Sequence, residues 1–556
     1  MCGIAGYIFK KKTKIKKNKI LDSLSHRGPD SRGVYSLFNK IYLFHTRLSI
    51  IDLNNSSNQP FQIDKGNLTI VFNGEIYNYI ELKKQLSQDG EKFLTNSDTE
   101  VFLRLWKRYG INGLNKARGM FAFAIFDKKK NLLTIGRDPL GIKPLFYNFH
   151  KNVFRFSSEI NQLKSKDNNL LSSIGKNIFY EWGSIPSPFT IYENIKSVEP
   201  GSLITYSIKN FKIKKYYYWN LSKTFEKKRK YIIKYKLAVD FAKNVISETI
   251  NKHLTSDVPI AVLLSGGIDS SAIVSFMRKQ GVSKIYTISL IFPGTKYNEN
   301  KYIKMVSNKF NTIHYQKKYS KKEFIKEYKK YKSLSSYPTI DGFNIFLVTK
   351  FAKKKKFKVV LSGVGADEIF QGYRTIFTKV SFIIKLSKLI PYLLKKLFLK
   401  ITKIFFKDKD IYLRIKKLFL SEDLTKQYLS SRDIKLNQKL DRKQINELNL
   451  FYNKYFKINN KCLELNRQLS FMEIKRYLQS QLLLDCDYFS MLNSVEIRTP
   501  FVDRVFYEKL LNISPKIFKN QKFSKSLLVD AAEDLPIEIV KRKKMGFSLP
   551  MNWITG

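Results

Sequence analysis

Residues 260 to 272 read I-A-V-L-L-S-G-G-I-D-S-S-A: an apolar run, then Ser265-Gly266-Gly267, then a helical pattern from Ser270. The run from Ile260 to Leu264 suits a buried parallel strand, which meets apolar neighbours on both faces and so shows no polar alternation. Two glycines allow positive φ and close approach of backbone to a ligand, and a helix start offers free N–H groups and the positive end of a dipole. Strand, tight turn and helix start in that order make a candidate phosphate cradle. It is not a G-x-x-x-x-G-K-[ST] loop, because that spacing and its lysine are missing. A turn whose glycines serve only packing would read the same over these residues alone.

Working outward, the pattern alternates: helix 238–252, strand 260–264, helix 270–280, strand 284–291, helix 298–309, and a further strand at 358–361. Alternation of this kind predicts a doubly wound parallel sheet with ligands outside the carboxyl ends of its strands. A second loop, S-G-V-G-A-D-E-I-F-Q-G-Y at 362–373, leaves the same edge. Asp269 and Asp367 then supply oxygen donors suited to Mg²⁺. The first loop resembles the S-G-G-x-D-S loop of the ATP pyrophosphatases, which cleave ATP between the α and β phosphates. The second resembles the S-G-x-G-x-D-E element of asparagine synthetases.

The resemblance implies a set of ATP contacts. Leu263, Ile288, Ser362 and Gly363 would line the adenine and ribose, Ser265, Gly266, Gly267, Asp269 and Ser270 the pyrophosphate, and Asp269 and Asp367 would hold Mg²⁺. It also implies that S-V-E-I-R-T-P-F-V-D at 494–503 lies in a helical region closing the substrate pocket, and that Lys544, within R-K-K-M-G-F at 542–547, faces the adenylate. A cation there can stabilise the charge that grows as the α–β bond breaks. Two features depart from the pattern. Val364 stands where well-known relatives carry an acidic residue thought to handle the proton of incoming ammonia, and the chain stops at Gly556 where relatives run on.

At the other end of the chain Cys2-Gly3-Ile4-Ala5-Gly6 precedes an aromatic and β-branched run that reads as a strand. Removal of Met1 would leave a thiol and a free α-amine on one residue. An α-amine titrating near about 8 can take the proton from an adjacent nucleophile. Further segments follow: H-R-G-P-D at 26–30, R-L-S-I-I-D at 47–52, F-N-G-E-I-Y-N at 72–78, S-D-T-E at 97–100 and G-R-D-P-L-G-I-K-P-L-F-Y at 136–147. Singly, Asn73-Gly74 reads equally as a hairpin turn and Asp98 as a helix cap. In this order they resemble the glutaminase domain of the class II glutamine amidotransferases, in the branch that includes asparagine synthetase B.

That resemblance implies an N-terminal-nucleophile domain in which Cys2 attacks the side-chain amide of glutamine, forming a thioester and releasing ammonia. Asn73 and the Gly74 N–H would form the oxyanion hole. Arg47 would offer a bidentate fork to the glutamine α-carboxylate, Asp98 and Glu75 would take its α-ammonium, and Leu48, Ser49, Ile50 and Ile51 would complete the pocket.

The expected fold is therefore α/β: an N-terminal-nucleophile αββα sandwich, then a doubly wound parallel-sheet ATP-pyrophosphatase domain with C-terminal helices. The expected boundaries are 1–208 for the first domain, 209–236 for a Lys- and Tyr-rich linker and 237–556 for the second. Glutamine, ATP and aspartate are the implied substrates, with a β-aspartyl-AMP intermediate, an apolar passage for ammonia, and asparagine, glutamate, AMP and pyrophosphate as products. A sugar acid or peptide carboxylate is an alternative acceptor. A nucleic-acid-modifying ATP pyrophosphatase would explain the loop and the charge but has no need of the Cys2 segments.

Composition bounds the rest. A chain of 556 residues, 43% hydrophobic, has length for more than one core. The net charge of +55 would point to a polyanion, but the lysines run along the whole length and suit a compositional bias as well as a binding stripe. Nucleic acid is not the expected partner. Three cysteines and five histidines show neither C-x-x-C nor H-x-x-x-H spacing, so neither a disulfide framework nor a zinc cluster is expected. The start lacks the pattern of a signal peptide, and a cytoplasmic enzyme, homodimeric by resemblance, is the expectation. The greasiest tract, 380–406, is interrupted by lysines and Pro391, so it cannot span a bilayer. It reads as core or surface helices, although a basic amphipathic helix pair could lie on a membrane.

Overall fold

The computed structural model describes residues 2–164, 170–405, 409–434, 440–459, 463–518, 522–543, 546 and 549–555. The first half is built from two six-stranded antiparallel sheets. One runs, edge to edge, Lys196–Ser197, Phe146–His150, Val153–Ser157, Gly3–Phe9, Ile41–Arg47 and Ser31–Leu37. The other runs Ile213–Tyr217, Ser202–Ser207, Leu132–Arg137, Gly119–Asp127, Leu68–Ile76 and Phe61–Ile63. Ile4, Ile8 and Leu43 of the first sheet bury against Val71, Ala122 and Ile135 of the second. Leu21 and Leu24 of helix Lys17–Leu24 cover the outer face of the first sheet, and helices Tyr79–Gln88 and Asp98–Tyr109 cover the second. The layers are helix, sheet, sheet, helix, as expected of an αββα sandwich.

The second half holds a five-stranded parallel sheet ordered Ile313–Lys318, Tyr286–Ile291, Ile260–Leu263, Val359–Leu361 and Glu496–Arg498. Helices Tyr235–His253, Ile268–Lys279, Asn300–Lys309 and Phe343–Lys354 alternate with these strands. Ala261 and Val262 of the central strand are fully buried, as an apolar strand paired on both sides requires.

Two expectations need correction. Strand Ile213–Tyr217 pairs with Ser202–Ser207, so the expected 209–236 linker begins as an edge strand of the first domain. All five of its residues are exposed, and a strand without a buried face leaves no alternation to read. The S-V-E-I-R-T-P-F-V-D element lies between helices Leu483–Met491 and Arg504–Leu510 but is helical only at Pro500–Val502: Glu496–Arg498 is the fifth strand of the parallel sheet, paired with Val359–Leu361. Three residues are too few for periodicity to separate strand from helix.

The domains share one continuous interior. The largest buried cluster joins Tyr77, Met120, Leu140 and Ile142 of the first domain to the helices and strands of the second.

Candidate functional sites

Cys2 lies buried just before the central strand Gly3–Phe9 of its sheet. Its backbone N–H donates to Asn73 Oδ1 at 2.9 Å. Asn73 sits opposite Ala122 in the second sheet, fully buried, and its Nδ2 has no partner. A buried amide donor left unpaired beside a thiol has the character of an oxyanion site. Gly74 is required sterically, since a Cβ there would meet the Met120 carbonyl oxygen at 2.2 Å. Burial pushes the Cys2 thiol above its ordinary value, against the pull of the N-terminal ammonium, the Leu48 N–H and Arg47. The thiol is therefore held as a thiol and needs a base beside it.

The residues expected to form a glutamine pocket are placed by different parts of the fold. Asp98 opens helix Asp98–Tyr109, accepts the Ile76 N–H at 2.9 Å and is raised to about 6 by burial. Arg47 does not present a free fork. Its Nη1 donates to Asn54 O and Asn58 Oδ1 and its Nη2 to Ile51 O and Asp52 O, because the 51–58 loop wraps round it, leaving the Nε–H for a ligand. Leu48, Ile50 and Ile51 pack with Val359 and Met491 of the second domain, so their side chains face the domain boundary. Ser49 donates its N–H to Asp30. Glu75 Oε2 lies 3.7 Å from Arg498 Nη2, and burial, with Glu496 and Asp98 nearby, raises its carboxyl well above the usual range.

The second site is a cavity of about 310 Å³ at the carboxyl edge of the parallel sheet. Leu263, Ser265, Gly267, Asp269, Ser270, Ile288, Ser362, Gly363, Val364 and Asp367 all line it. Gly266 is absent from the lining: its φ is +67° and a Cβ would press on Tyr302, so this glycine serves the turn and its packing. The two loops meet at Gly363, where a Cβ would come 2.7 Å from Asp269 Cβ. Lys544 falls outside the described residues. Beside it, Arg542 Nη1 donates to Gly266 O at 3.3 Å and its Nη2 pairs with Glu299.

The sequence did not single out Lys525. Its Nζ lies 2.5 and 2.6 Å from the Asp269 carboxylate oxygens and 2.6 Å from Asp367 Oδ1. Burial alone would lower this ammonium, but the two carboxylates reverse the effect and raise it. The convergence also tests the expected Mg²⁺ site. Two carboxylates reaching one point form a hard, oxygen-only donor set that fits such an ion. Among the described residues no group of three metal-ligating side chains gathers anywhere, so phosphate and water oxygens would have to complete the coordination. Also unforeseen are Asp341 and Asp485 in the cavity wall. Asp485 is raised well above the usual range by burial and by Asp341, and its Oδ1 is buried without a partner.

Buried charges join the two sites. Arg498 Nε donates to Glu496 at 2.6 Å, its Nη1 to the His253 and Thr255 carbonyls, and its own carbonyl accepts the Ser362 N–H at 2.8 Å. One residue thus touches the 362–373 loop of the cavity and stands against Glu75, next to Asn73-Gly74. Arg27 donates to Cys2 O, Glu159 and Asp487, and Arg118 to Asp503 and Glu248, across the same boundary.

Residues 1–218 match a glutamine amidotransferase domain model, and residues 242–554 match the asparagine synthase model. The chain belongs to the asparagine synthase family. Within the family, asparagine synthetase [glutamine-hydrolyzing] 1 of Bacillus subtilis is 32% identical over 551 residues, covering 95% of this chain and 83% of its own length. Asparagine synthetase [glutamine-hydrolyzing] 3 of the same organism is 28% identical, covering 98% and 86%. Amidase chry2 of Gibberella zeae is 30% identical over 371 residues, covering 64% of this chain and 54% of its own length.

Proposed function

We propose that the protein is a glutamine-dependent asparagine synthetase. Glutamine is hydrolysed at Cys2, and the ammonia released attacks β-aspartyl-AMP made from aspartate and ATP. The observation that carries this reading is the pairing of a buried thiol site with a loop-lined cavity in one chain, bridged by Arg498.

Loss of Met1 turns the Cys2 nitrogen, now bonded to Asn73, into an α-amine that takes the thiol proton. The thiolate attacks the glutamine amide carbon, and Asn73 Nδ2 with the Gly74 N–H holds the oxyanion. Ammonia leaves with the proton returned by the α-amine, and water then hydrolyses the thioester to glutamate. In the second cavity the aspartate side-chain carboxylate attacks the α-phosphorus and pyrophosphate departs. Ser265, Gly267 and Ser270 hold the phosphates, and the Lys525 ammonium meets charge as it forms on the leaving oxygen. Asp269 and Asp367 would hold Mg²⁺, which supplies further charge neutralisation when bound. Ammonia crosses the domain boundary, attacks the acyl carbon and displaces AMP. Exclusion of water matters because ammonia is protonated and lost in bulk solvent at neutral pH.

A second reading keeps the chemistry and changes the acceptor. Val364 in the cavity wall supports a carboxylate other than aspartate, in a family where one relative carries the name amidase. The test is AMP and pyrophosphate release with glutamine and a panel of aspartate, sugar acids and peptide carboxylates. Release with aspartate supports the first reading. Turnover of another acid with aspartate inert overturns it in favour of the second, and absence of release with every acid overturns both.

A further inference from the structure

The segment that leaves the cavity at Tyr373 forms helices Ser381–Leu389 and Tyr392–Phe405, and of their described apolar side chains only Ile384 and Leu399 are buried, while most of the others face outward. Leu389 is 80% exposed and Leu393 78%, with Phe382, Leu394, Leu397 and Ile401 all more than half exposed. At about 100° per residue, Leu393, Leu394, Leu397, Phe398 and Ile401 form one continuous stripe on the second helix. Its inner face is instead Lys395 and Leu399, both buried. Phe398 also stacks on Phe419 at 5.6 Å, and the Tyr412 hydroxyl donates to Leu399 O at 3.3 Å. The helix is thus anchored to the body with its apolar stripe facing solvent, the reverse of an ordinary surface helix.

Charge identifies what would cover the stripe. Between Glu368 and Asp408 the sequence has no acidic residue. Lys385, Lys388, Lys396 and Lys400 are exposed, and the last two flank the apolar stripe. A second copy of the chain packed on this face would oppose these lysines with their own like charges and no carboxylate from the tract to answer them. A surface with an apolar interior and anionic headgroups satisfies both features.

We propose that helix Tyr392–Phe405, with the end of helix Ser381–Leu389, rests on an anionic membrane surface. Leu389, Leu393, Leu397 and Ile401 enter the boundary between headgroups and acyl chains, and Lys388, Lys396 and Lys400 lie on acidic headgroups. No described helix is long and apolar enough to cross a membrane, so the contact is to one leaflet. The acceptor chemistry proposed above does not depend on it.

Flotation of the full chain with vesicles tests the proposal. The expected result is recovery with vesicles of phosphatidylcholine mixed with phosphatidylglycerol, little with phosphatidylcholine alone, and release by salt. Leu393→Glu combined with Leu397→Glu abolishes recovery while ATP-dependent AMP release persists, and Lys396→Gln and Lys400→Gln each lower partition about fivefold. Absence of flotation with the acidic vesicles overturns the proposal, as does flotation indifferent to the glutamate pair. A dimer dispersed by that pair, without vesicle binding, assigns the face to a second copy and also overturns it.

Discussion

The thiol site and the loop-lined cavity handle charge differently. Around Cys2 the groups are dry: burial holds the thiol protonated, Glu75 is raised, and Asn73 Nδ2 is among the buried polar atoms left without a hydrogen-bond partner. At the loop edge of the cavity charges are paired instead, with Asp269 and Asp367 gripping Lys525, while Asp485 in the wall is raised. On the function proposed above, the first arrangement serves a neutral amide that develops an oxyanion, and the second a polyanion that competes with two carboxylates for the ammonium.

If the two sites divide the work in this way, removing the thiol should separate them completely. Cys2→Ala is expected to abolish glutamine use while leaving product formation from free ammonia intact, measured as AMP release with each nitrogen source. Retained glutamine use would remove Cys2 from the mechanism.

Arg498 belongs to both sites, so its loss should blur the division. Replacing one member of a fully buried ion pair typically costs about 3–5 kcal/mol, because the partner charge is left uncompensated. Arg498→Gln is expected to lower the unfolding free energy by a comparable amount, read from urea denaturation, and in the folded fraction to yield glutamate in excess of AMP. Tight coupling of the two products would show that Arg498 only holds the interface together.

Lys525→Met acts on the cavity alone. Loss of one preorganised donor at developing charge typically lowers turnover by about 10²–10³. That loss is expected in AMP formation, with glutamine hydrolysis within a few fold of the parent. An equal fall in both activities would make the lysine a folding residue.

What the sequence disclosed follows the same contrast. The two glycine loops were legible because their requirements are local: a strand end, a turn that needs glycine, and a carboxylate one or two residues on. The Cys2 site was legible through many short segments in one order. Lys525 was not, since one lysine among 101 basic residues carries no signal, and its positive φ of 58° cannot be read from Lys-Phe-Ser-Lys. Asp341 and Asp485 meet only through the fold, from distant parts of the chain. Arg47 misled in the other direction. Its guanidinium suited a ligand carboxylate, but whether the following loop would wrap round it depended on backbone carbonyls that sequence does not reveal.

The smallest expected effect concerns acid, and it falls at the boundary between the sites. His253 lies tilted against Tyr77, with ring centroids 4.0 Å apart, and its ring nitrogen Nδ1 lies 2.8 Å from the Thr249 carbonyl. Burial lowers it from 6.5 to about 4, although Asp503 pulls the other way. The folded protein therefore refuses a proton that the unfolded chain binds between those values, so stability rises with pH across that window and is lost as pH falls from 6.5 towards 4. The slope from one such group is at most about 1.4 kcal/mol per pH unit. His45, buried and lowered to about 3, adds to it in the same direction and extends the loss further into acid. Urea midpoints across the window should thus shallow in His253→Gln while keeping the part due to His45. An unchanged slope would mean that His253 keeps its ordinary affinity in the fold, and that the domain boundary is wetter than its packing implies.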